Sequence, residues 1–354
     1  VYKRQGLSGP QRHAFCASSA PISKVLALPN ASLLMEEDGH VRISRHPDRP
    51  MVPASTMKML TALASIQRWG MGHRFHTDFH VAGDGRLWVK GWGDPYLVSE
   101  ELDRIVATLK RQGLRSVEGL GLDDSLFSPR LWVAGYSSSH HPYDAPVTAL
   151  AVNFNTISLI KKGGKLYSGE SQTPLTAIAK RFGARLGPGK HRVNLKNRET
   201  AVRYFGELLS AKLEKAGLSV HGKIRIGWMP AGTRLIYRHK NSHDLRQLLA
   251  SMLEYSNNFM ANALFLLLAQ QGERGGLDMA QARRAAQRWV RKNLGWSDYR
   301  IEDGAGLSRG NRLSARQLLD GVVAFKPYME LLPEYKGRVR AKTGTLKGVS
   351  CYAG

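Results

Sequence analysis

The sequence predicts an α/β fold in which a large insertion interrupts one domain. Two observations lead to this prediction. Segments with the apolar spacing of helices lie towards both ends of the chain, and the middle, from about His73 to Tyr237, is richer in strand-like segments. The chain has 354 residues, of which 42% are hydrophobic, so it can bury a substantial core. We therefore expect residues 22–72 and 238–354 to form one domain and residues 73–237 an inserted α/β domain.

Each predicted element is bounded by a turn or capping residue. Asp38-Gly39 is typical of a hairpin turn, and Pro53 suits the first turn of a helix that Gly70 ends. Ser99 is expected to cap a helix. In chain order we predict a hairpin over 31–43, a helix over 54–69, two strands within 75–90, helices over 99–112 and 200–216, a strand over 220–228, helices beginning at 244 and over 258–271, 278–294 and 313–324, and strand segments over 338–342 and 347–352.

The chain is strongly basic, with 52 Lys and Arg against 28 Asp and Glu, a net charge of +24. Such an excess fits binding to nucleic acid, anionic lipid or an acidic polymer, and it also fits a soluble protein with one charged face. No apolar run approaches the roughly 20 residues that span a bilayer. Two cysteines, Cys16 and Cys351, exclude a disulfide-rich scaffold and a cysteine zinc site. No HExxH motif is present, and the His140-His141 pair is interpreted as a solvated loop, so no metal or other cofactor is expected.

A first candidate motif is Ser55-Thr56-Met57-Lys58 at the start of a predicted helix. Residues three apart share a helix face, so the Ser55 hydroxyl and the Lys58 amine can meet. A serine nucleophile needs a base, and a buried lysine beside another positive charge can be neutral near pH 7. The same spacing recurs at Ser158 and Lys161, which we attribute to chance. The position of Ser55 at a helix start also lets its backbone N–H contribute to an oxyanion hole.

A second candidate motif is Ser256-Asn257-Asn258, at a break between two apolar helices. A polar cluster in an otherwise apolar segment has two explanations. By themselves the residue types favour a helix N-cap, because Ser and Asn both cap well. The other explanation is a polar site between the helices.

A third candidate motif is Lys342-Thr343-Gly344, followed by Thr345, on a late strand. The lysine charge and threonine hydroxyls can hold a carboxylate, and Gly344 lets a substrate backbone approach the strand. The alternative is a surface lysine beside a turn glycine.

The order SxxK, SxN, KTG, each on its expected element, resembles the motif set of β-lactamases and penicillin-binding proteins. Further segments narrow the resemblance to the D-alanyl-D-alanine carboxypeptidase/endopeptidase family of class C low-molecular-mass penicillin-binding proteins, peptidase family S13. These segments are Gly93-Asp94-Pro95, Asp123 to Phe127, Ala145 to Leu150, Asp303 to Arg309 and Ala341 to Leu346. The resemblance implies a penicillin-binding-protein/serine β-lactamase-like transpeptidase fold, an antiparallel sheet flanked by helices, with the insertion between SxxK and SxN.

The resemblance also implies a two-step acyl transfer on peptidoglycan stem peptides, with β-lactams as inhibitors. Ser55 would attack the carbonyl between two D-alanines, and Lys58 would take its proton. Ser256 would relay a proton to the leaving amine, helped by Lys342. Asn258 would bind the substrate amide, and Lys342, Thr343 and Thr345 would bind the terminal carboxylate beside Gly344. The N–H groups of Ser55 and Thr345 would form the oxyanion hole. Tyr143 and Arg309 would be pocket residues or, equally, a packing residue and a surface charge.

The resemblance further implies an extracytoplasmic or periplasmic enzyme, and residues 1–21 are interpreted as a signal remnant or a disordered N-terminus. The stretch before Tyr143 lacks an acidic residue that relatives often carry, which leaves cleavage of D-Ala–diaminopimelate cross-links open. We also expect that the C-terminal part of the domain is missing, so that the KTG strand lacks its hairpin partner.

Three other functions stay open. One is another acyl-serine hydrolase of the same fold, a β-lactamase, an esterase or a D-amino-acid amidase. Another is a non-catalytic cell-wall-binding relative, which the intact Ser55, Lys58 and Lys342 disfavour. The third is nucleic-acid binding, for which no motif is present and which we therefore do not expect. The excess positive charge is instead interpreted as attraction to anionic envelope polymers.

Overall fold

The computed structural model describes residues 20–137, 139–272, 275–335, 337 and 339–354. The helices are α1 Ala20–Leu26, α2 Met57–Trp69, α3 Ser99–Arg111, α4 Ala177–Ala184, α5 Arg198–Lys215, α6 Leu245–Glu254, α7 Asn258–Leu267, α8 Met279–Leu294 and α9 Ala315–Phe325. The strands are β1 Leu33–Glu37, β2 His40–Arg45, β3 His76–Val81, β4 Leu87–Gly91, β5 Ser116–Val117, β6 Leu120–Asp123, β7 Thr156–Lys162, β8 Lys165–Ser168, β9 Gly189–Asn194, β10 Ser219–Val220, β11 Ile224–Ile226, β12 Arg234–Lys240, β13 Glu334–Tyr335, β14 Val339–Arg340, β15 Lys342–Leu346 and β16 Val349–Ala353.

Several helix starts are fixed by side chains that the sequence supplies locally. Asp244, Asp278 and Ser314 each accept a hydrogen bond from the backbone three residues on, and a glutamine at that position reaches back to the cap. These reciprocal bonds satisfy N–H groups that a helix start otherwise leaves unpaired. The starts of α6, α8 and α9 are therefore defined by sequence alone.

A mixed five-stranded sheet forms the centre of the region between the first and second motifs. Its strand order is β11-β6-β4-β3-β12; β4, β6 and β11 are parallel, and β3 is antiparallel to both of its neighbours. Apolar side chains of this sheet, of α3 and α5, and of the three-stranded antiparallel sheet β8-β7-β9 form one buried cluster. This region thus has a core of its own.

A second buried cluster contains α2 and the helices α6 to α9. Helix α2 is central, because it contacts α6, α7 and α9. Side chains from 126–133 and 147–151, inside the predicted insertion, also belong to this cluster. The insertion therefore packs back onto the helices, and its ends at residues 73 and 237 remain a prediction.

Most predicted elements are present at nearly their predicted positions. The hairpin around Asp38-Gly39 is β1 and β2, the helix after Pro53 is α2, and the Ala- and Arg-rich segment is α8. Helix α7 ends at Leu267, earlier than predicted. Ser99 is the first residue of α3 and not its cap; its hydroxyl instead pairs with Thr173, 2.7 Å away.

The expectation that the KTG strand lacks a hairpin partner is wrong. Strand β15 pairs antiparallel with β16, and Leu346 lies opposite Val349. Gly348 has φ +73°, which a glycine adopts without strain, so the chain reverses within two residues. Among the described residues β15 and β16 form a sheet of two strands, and β1 and β2 form another, so the helices are flanked by two hairpins and not by one continuous sheet.

The N-terminal segment interpreted as a signal remnant lies almost entirely outside the described residues. Within the described ranges no helix is both long and apolar enough to cross a membrane.

Candidate active site

Ser55 lies on a single 3₁₀ turn, Ala54–Thr56, that leads directly into α2. Ala54 has φ +46°, in the left-handed region that non-glycine residues seldom adopt. The Thr56 hydroxyl donates to the Pro53 carbonyl at 2.6 Å and closes the turn. The tight turn therefore places Ser55 immediately before a helix, as the sequence predicts.

Lys58 is buried at the first turn of α2, and its amine meets three oxygen atoms. Lys58 Nζ lies 2.9 Å from Ser55 Oγ, 2.8 Å from Asn258 Oδ1 and 2.8 Å from the Ala305 carbonyl oxygen. The amide and carbonyl oxygens can only accept hydrogen bonds. A neutral amine has two N–H donors for these two oxygens, and its lone pair is then left facing the Ser55 hydroxyl.

The electrostatic surroundings favour this neutral amine. Burial, and after it the charge of Lys342, lower the pKa of Lys58 from 10.5 to about 7, while the negative charge of Asp303 acts in the opposite direction. Burial also lowers the pKa of Lys342, against the opposing effect of Glu254. Near neutral pH a large fraction of Lys58 is therefore able to accept a proton.

The two asparagines of the second motif have different places. Asn257 caps α7, because its side chain accepts from the Met260 N–H. Asn258 points its Oδ1 at Lys58 and donates from Nδ2 to the Tyr143 carbonyl at 3.1 Å. Ser256 lies in the connection before them with φ +52° and is partly exposed. Both explanations of the motif are therefore correct: Asn257 is the helix cap, and Asn258 belongs to the polar site.

Strand β15 passes directly over the turn that carries Ser55. A Cβ added at Gly344 would lie 2.8 Å from the Ser55 nitrogen and 2.8 Å from the Pro53 oxygen, which is too close for any side chain. Lys342 is buried, Thr343 is partly exposed and Thr345 is exposed. Gly344 is therefore required by close packing onto the backbone of Ser55.

Tyr143 and Arg309 lie at the edge of this arrangement. The carbonyl of Tyr143 accepts from Asn258, while its half-exposed ring stacks on His141 with centroids 5.0 Å apart. Buried Asp144 accepts from the hydroxyls of Ser137 and Ser139 and so fixes this loop. Exposed Arg309 donates to the carbonyl of Lys347, at the β15–β16 turn.

One participant was not identified from the sequence as a contact of Lys58, the backbone carbonyl of Ala305. The segment Asp303 to Arg309 contributes to the family resemblance but has no predicted role of its own. A backbone carbonyl has no residue-type signal, and the repeated glycines of this segment are the only local feature that could have pointed to a close approach. The second SxxK is separate, because Lys161 donates to the carbonyls of Gly183, Ala184 and Leu186 instead.

Within the described part of the chain no three His, Cys, Asp or Glu side chains are grouped as a metal site would need. The arrangement of Ser55, Lys58 and Asn258 can instead support nucleophilic catalysis by its own side chains.

Residues 31–177 and 189–328 match the profile of the family described as D-Ala-D-Ala carboxypeptidase 3 (S13). The chain belongs to this S13 family. Its class is therefore that of a serine carboxypeptidase, a hydrolase. The match includes the first two motifs and ends before the KTG strand.

Among curated proteins, this S13 chain is 25% identical to a D-alanyl-D-alanine carboxypeptidase of Actinomadura sp. strain R39, over 89% of this chain and 72% of the relative. It is 24% identical to the D-alanyl-D-alanine carboxypeptidase DacB of Haemophilus influenzae, over 86% of this chain and 77% of the relative. The crystal structure of penicillin-binding protein 4 (dacB) from Haemophilus influenzae aligns with a TM-score of 0.72 at 23% identity, covering 88% of this chain and 83% of that one. The penicillin-binding-protein-like fold predicted from the sequence is thereby confirmed.

Proposed function

We propose that this S13 protein is a serine-type D-Ala-D-Ala carboxypeptidase that cleaves peptidoglycan stem peptides through an acyl-enzyme on Ser55. The observation that carries the proposal is the set of three contacts at Lys58, which leaves one lone pair for the Ser55 hydroxyl. The low pKa of Lys58, about 7, makes that lone pair available near neutral pH.

In the first step the Ser55 oxygen forms a bond to the carbonyl carbon between the two terminal D-alanines, and its proton passes to Lys58. The N–H groups of Ser55 and Thr345 stabilise the negative oxygen that forms. The C–N bond then breaks, and the leaving amine takes a proton through Ser256 from Lys58, helped by Lys342. In the second step water adds to the ester, the C–O bond to Ser55 breaks, and the serine regains its proton.

The substrate contacts proposed here are those that the family resemblance implies. Asn258 would bind the substrate amide, and the charge of Lys342, with Thr343 and Thr345, would bind the terminal carboxylate. Gly344 lets β15 lie close to the Ser55 turn and so keeps these groups beside the nucleophile. Tyr143 and Arg309 would lie beside the stem-peptide side chain.

The same nucleophile explains acylation by β-lactams. One structure of penicillin-binding protein 4 from Haemophilus influenzae is described as complexed with a novel β-lactam, and it aligns with this chain at a TM-score of 0.68 and 23% identity. We propose that β-lactams acylate Ser55 in the same way as the substrate.

Labelling with a fluorescent penicillin tests this proposal. We expect covalent labelling of the wild type and none of Ser55→Ala, with both proteins giving the same far-ultraviolet circular dichroism. Hydrolysis of a D-Ala-D-Ala stem peptide by the wild type, measured by release of D-alanine, should be lost with the label. A wild type that is folded but is neither labelled nor active would refute the proposal.

The second candidate is another acyl-serine hydrolase on the same fold, because the Ser55–Lys58 arrangement alone does not choose the acyl group. Rapid release of hydrolysed β-lactam, in place of a long-lived acyl-enzyme, would support a β-lactamase. Conversion of a cross-linked muropeptide into its two monomers, without release of D-alanine, would add endopeptidase activity.

We also propose an extracytoplasmic location, in which the +24 charge attracts the protein to anionic polymers of the envelope. Helix α8 carries five basic residues and no acidic one. Binding to purified peptidoglycan should weaken as salt rises, because ions screen such attraction over about 10 Å at 0.1 M. Sedimentation with peptidoglycan that does not change with ionic strength would count against it.

A further inference from the structure

The loop from Asp303 to Ser308, between α8 and α9, is ordered by one buried carboxylate. Asp303 is fully buried. Its Oδ1 accepts from the N–H groups of Ala305 at 2.8 Å, Gly306 at 2.7 Å and Leu307 at 3.1 Å. Its Oδ2 accepts from the Ser308 N–H at 2.8 Å and from Asn311 Nδ2 at 2.9 Å. Five donors on two oxygens fix the backbone of the loop in one conformation.

Helices α2 and α7, which carry Lys58 and Asn258, also form hydrogen bonds to this loop through residues one turn further along each helix. Thr61, three residues after Lys58, donates from its hydroxyl to the Gly304 carbonyl at 2.8 Å. Asn262, four residues after Asn258, accepts from the Gly304 N–H at 2.9 Å. Residues at these spacings share a helix face, so both helices contact the loop with the face that also reaches the amine.

The loop contacts both the proposed base and the backbone before the proposed nucleophile. The Ala305 carbonyl accepts from Lys58 at 2.8 Å. Gly306 packs on the Ala54 carbonyl so closely that any side chain there would clash. A shift of this loop would therefore move the direction of the Lys58 lone pair relative to Ser55.

We propose, resting on the function proposed above, that Asp303 is a positioning residue that fixes the Ala305 carbonyl and thereby directs the Lys58 lone pair at Ser55. Asp303 touches none of the reacting atoms and is not a catalytic residue. Its carboxylate acts on the amine in a second way, because its negative charge favours the protonated form.

The charged and titratable groups around the Lys58 amine are few within the described residues. Strand β15 contributes Lys342, which lowers the pKa of Lys58, and the loop contributes Asp303, which raises it. Helix α7 presents the uncharged amides of Asn258 and Asn262. Tyr136 is partly buried with its hydroxyl enclosed, and burial together with Asp303 raises the pKa of that hydroxyl, so it stays neutral. Loss of the Asp303 charge should therefore lower the pKa of Lys58.

The test compares acylation by a fluorescent penicillin, from pH 5 to 9, in the wild type, Asp303→Asn and Asp78→Asn. The control residue Asp78 is also buried and is bonded to Arg238 at 2.7 Å and to Trp92 at 2.8 Å, but it lies in the five-stranded sheet. For Asp303→Asn we expect a plateau acylation rate at least about tenfold lower than that of the wild type. We also expect the acid limb, the fall of the acylation rate on the acid side of the profile, to lie at lower pH. For Asp78→Asn we expect a lower melting temperature with the wild-type pH profile.

Thr61→Val is a second variant, which removes the hydrogen bond from Thr61 to the Gly304 carbonyl without changing any charge. We expect its plateau rate to fall several-fold while its acid limb stays in place. If Asp303→Asn does not fold, this variant decides. The inference alone would be overturned if the wild type is labelled and Thr61→Val, together with Asp303→Asn if it folds, shows the same plateau rate and the same pH profile as the wild type. A folded wild type that is not labelled at Ser55 would overturn the proposed function and the inference with it.

Discussion

The pH dependence of Ser55 acylation follows from the surroundings of Lys58. Burial penalises the ammonium form, and Lys342 adds repulsion, so the pKa of Lys58 falls to about 7. At pH 6 only about one tenth of the enzyme then has a neutral amine, and at pH 8 about nine tenths has. If that amine removes the Ser55 proton, the acylation rate should rise about tenfold between pH 6 and 8 and then level off.

An ordinary lysine would behave differently. With a pKa of 10.5, the neutral fraction would rise about 100-fold over the same interval and continue to rise past pH 9. Stopped-flow or timed gel measurements of penicillin labelling from pH 5 to 9 distinguish the two curves. Lys58→Arg is the matched control, since arginine stays protonated and should abolish labelling. A rate that is flat from pH 5.5 to 8, or one that rises without levelling before pH 9, would show that Lys58 is not the base as described.

Three further substitutions test the strand over the nucleophile and the start of α7. Gly344→Ala should lower the free energy of unfolding by about 1–3 kcal/mol, because its Cβ meets the backbone of Pro53 and Ser55, and it should also slow acylation. Urea unfolding and penicillin labelling measure both effects, and a fully active Gly344→Ala would contradict the packing described. Asn257→Ala should lose about 1 kcal/mol of stability as a lost helix cap while keeping most of its acylation rate. Asn258→Ala should instead affect activity most, with acylation at least about tenfold slower, because Lys58 loses a hydrogen-bond partner. Equal effects of the two substitutions would refute their separate roles.

The parts of the site that the sequence predicts are those carried by residue type and local spacing. Ser55 and Lys58 are three residues apart on one helix start, so their contact follows from helix geometry. The meeting of Lys58 with Asn258 depends on the packing of α2 against α7, which no local pattern contains. The family resemblance placed both residues in one site but assigned Asn258 to the substrate amide, so their direct contact was not predicted.

The features of the site that the sequence could not predict are positions and conformations of the main chain. The Ala305 carbonyl is a main-chain group that every residue has, and the left-handed φ of Ala54 is unusual for alanine. Both depend on contacts with distant segments. The strand at 349–353 was predicted as an element, but its pairing with β15 was not, because a turn at Lys347-Gly348 was not recognised.

The packing of β15 onto the Ser55 turn has a consequence for the order in which activity is acquired. Ser55 lies near one end of the described chain and Gly344 near the other, and the SxN segment and the Asp303 loop come between them. A ribosome therefore makes the nucleophile long before it makes the strand that covers it. Contacts of such high sequence separation close long loops and therefore carry a high entropic cost. We therefore expect Ser55 to become fully reactive only when these distant segments have met.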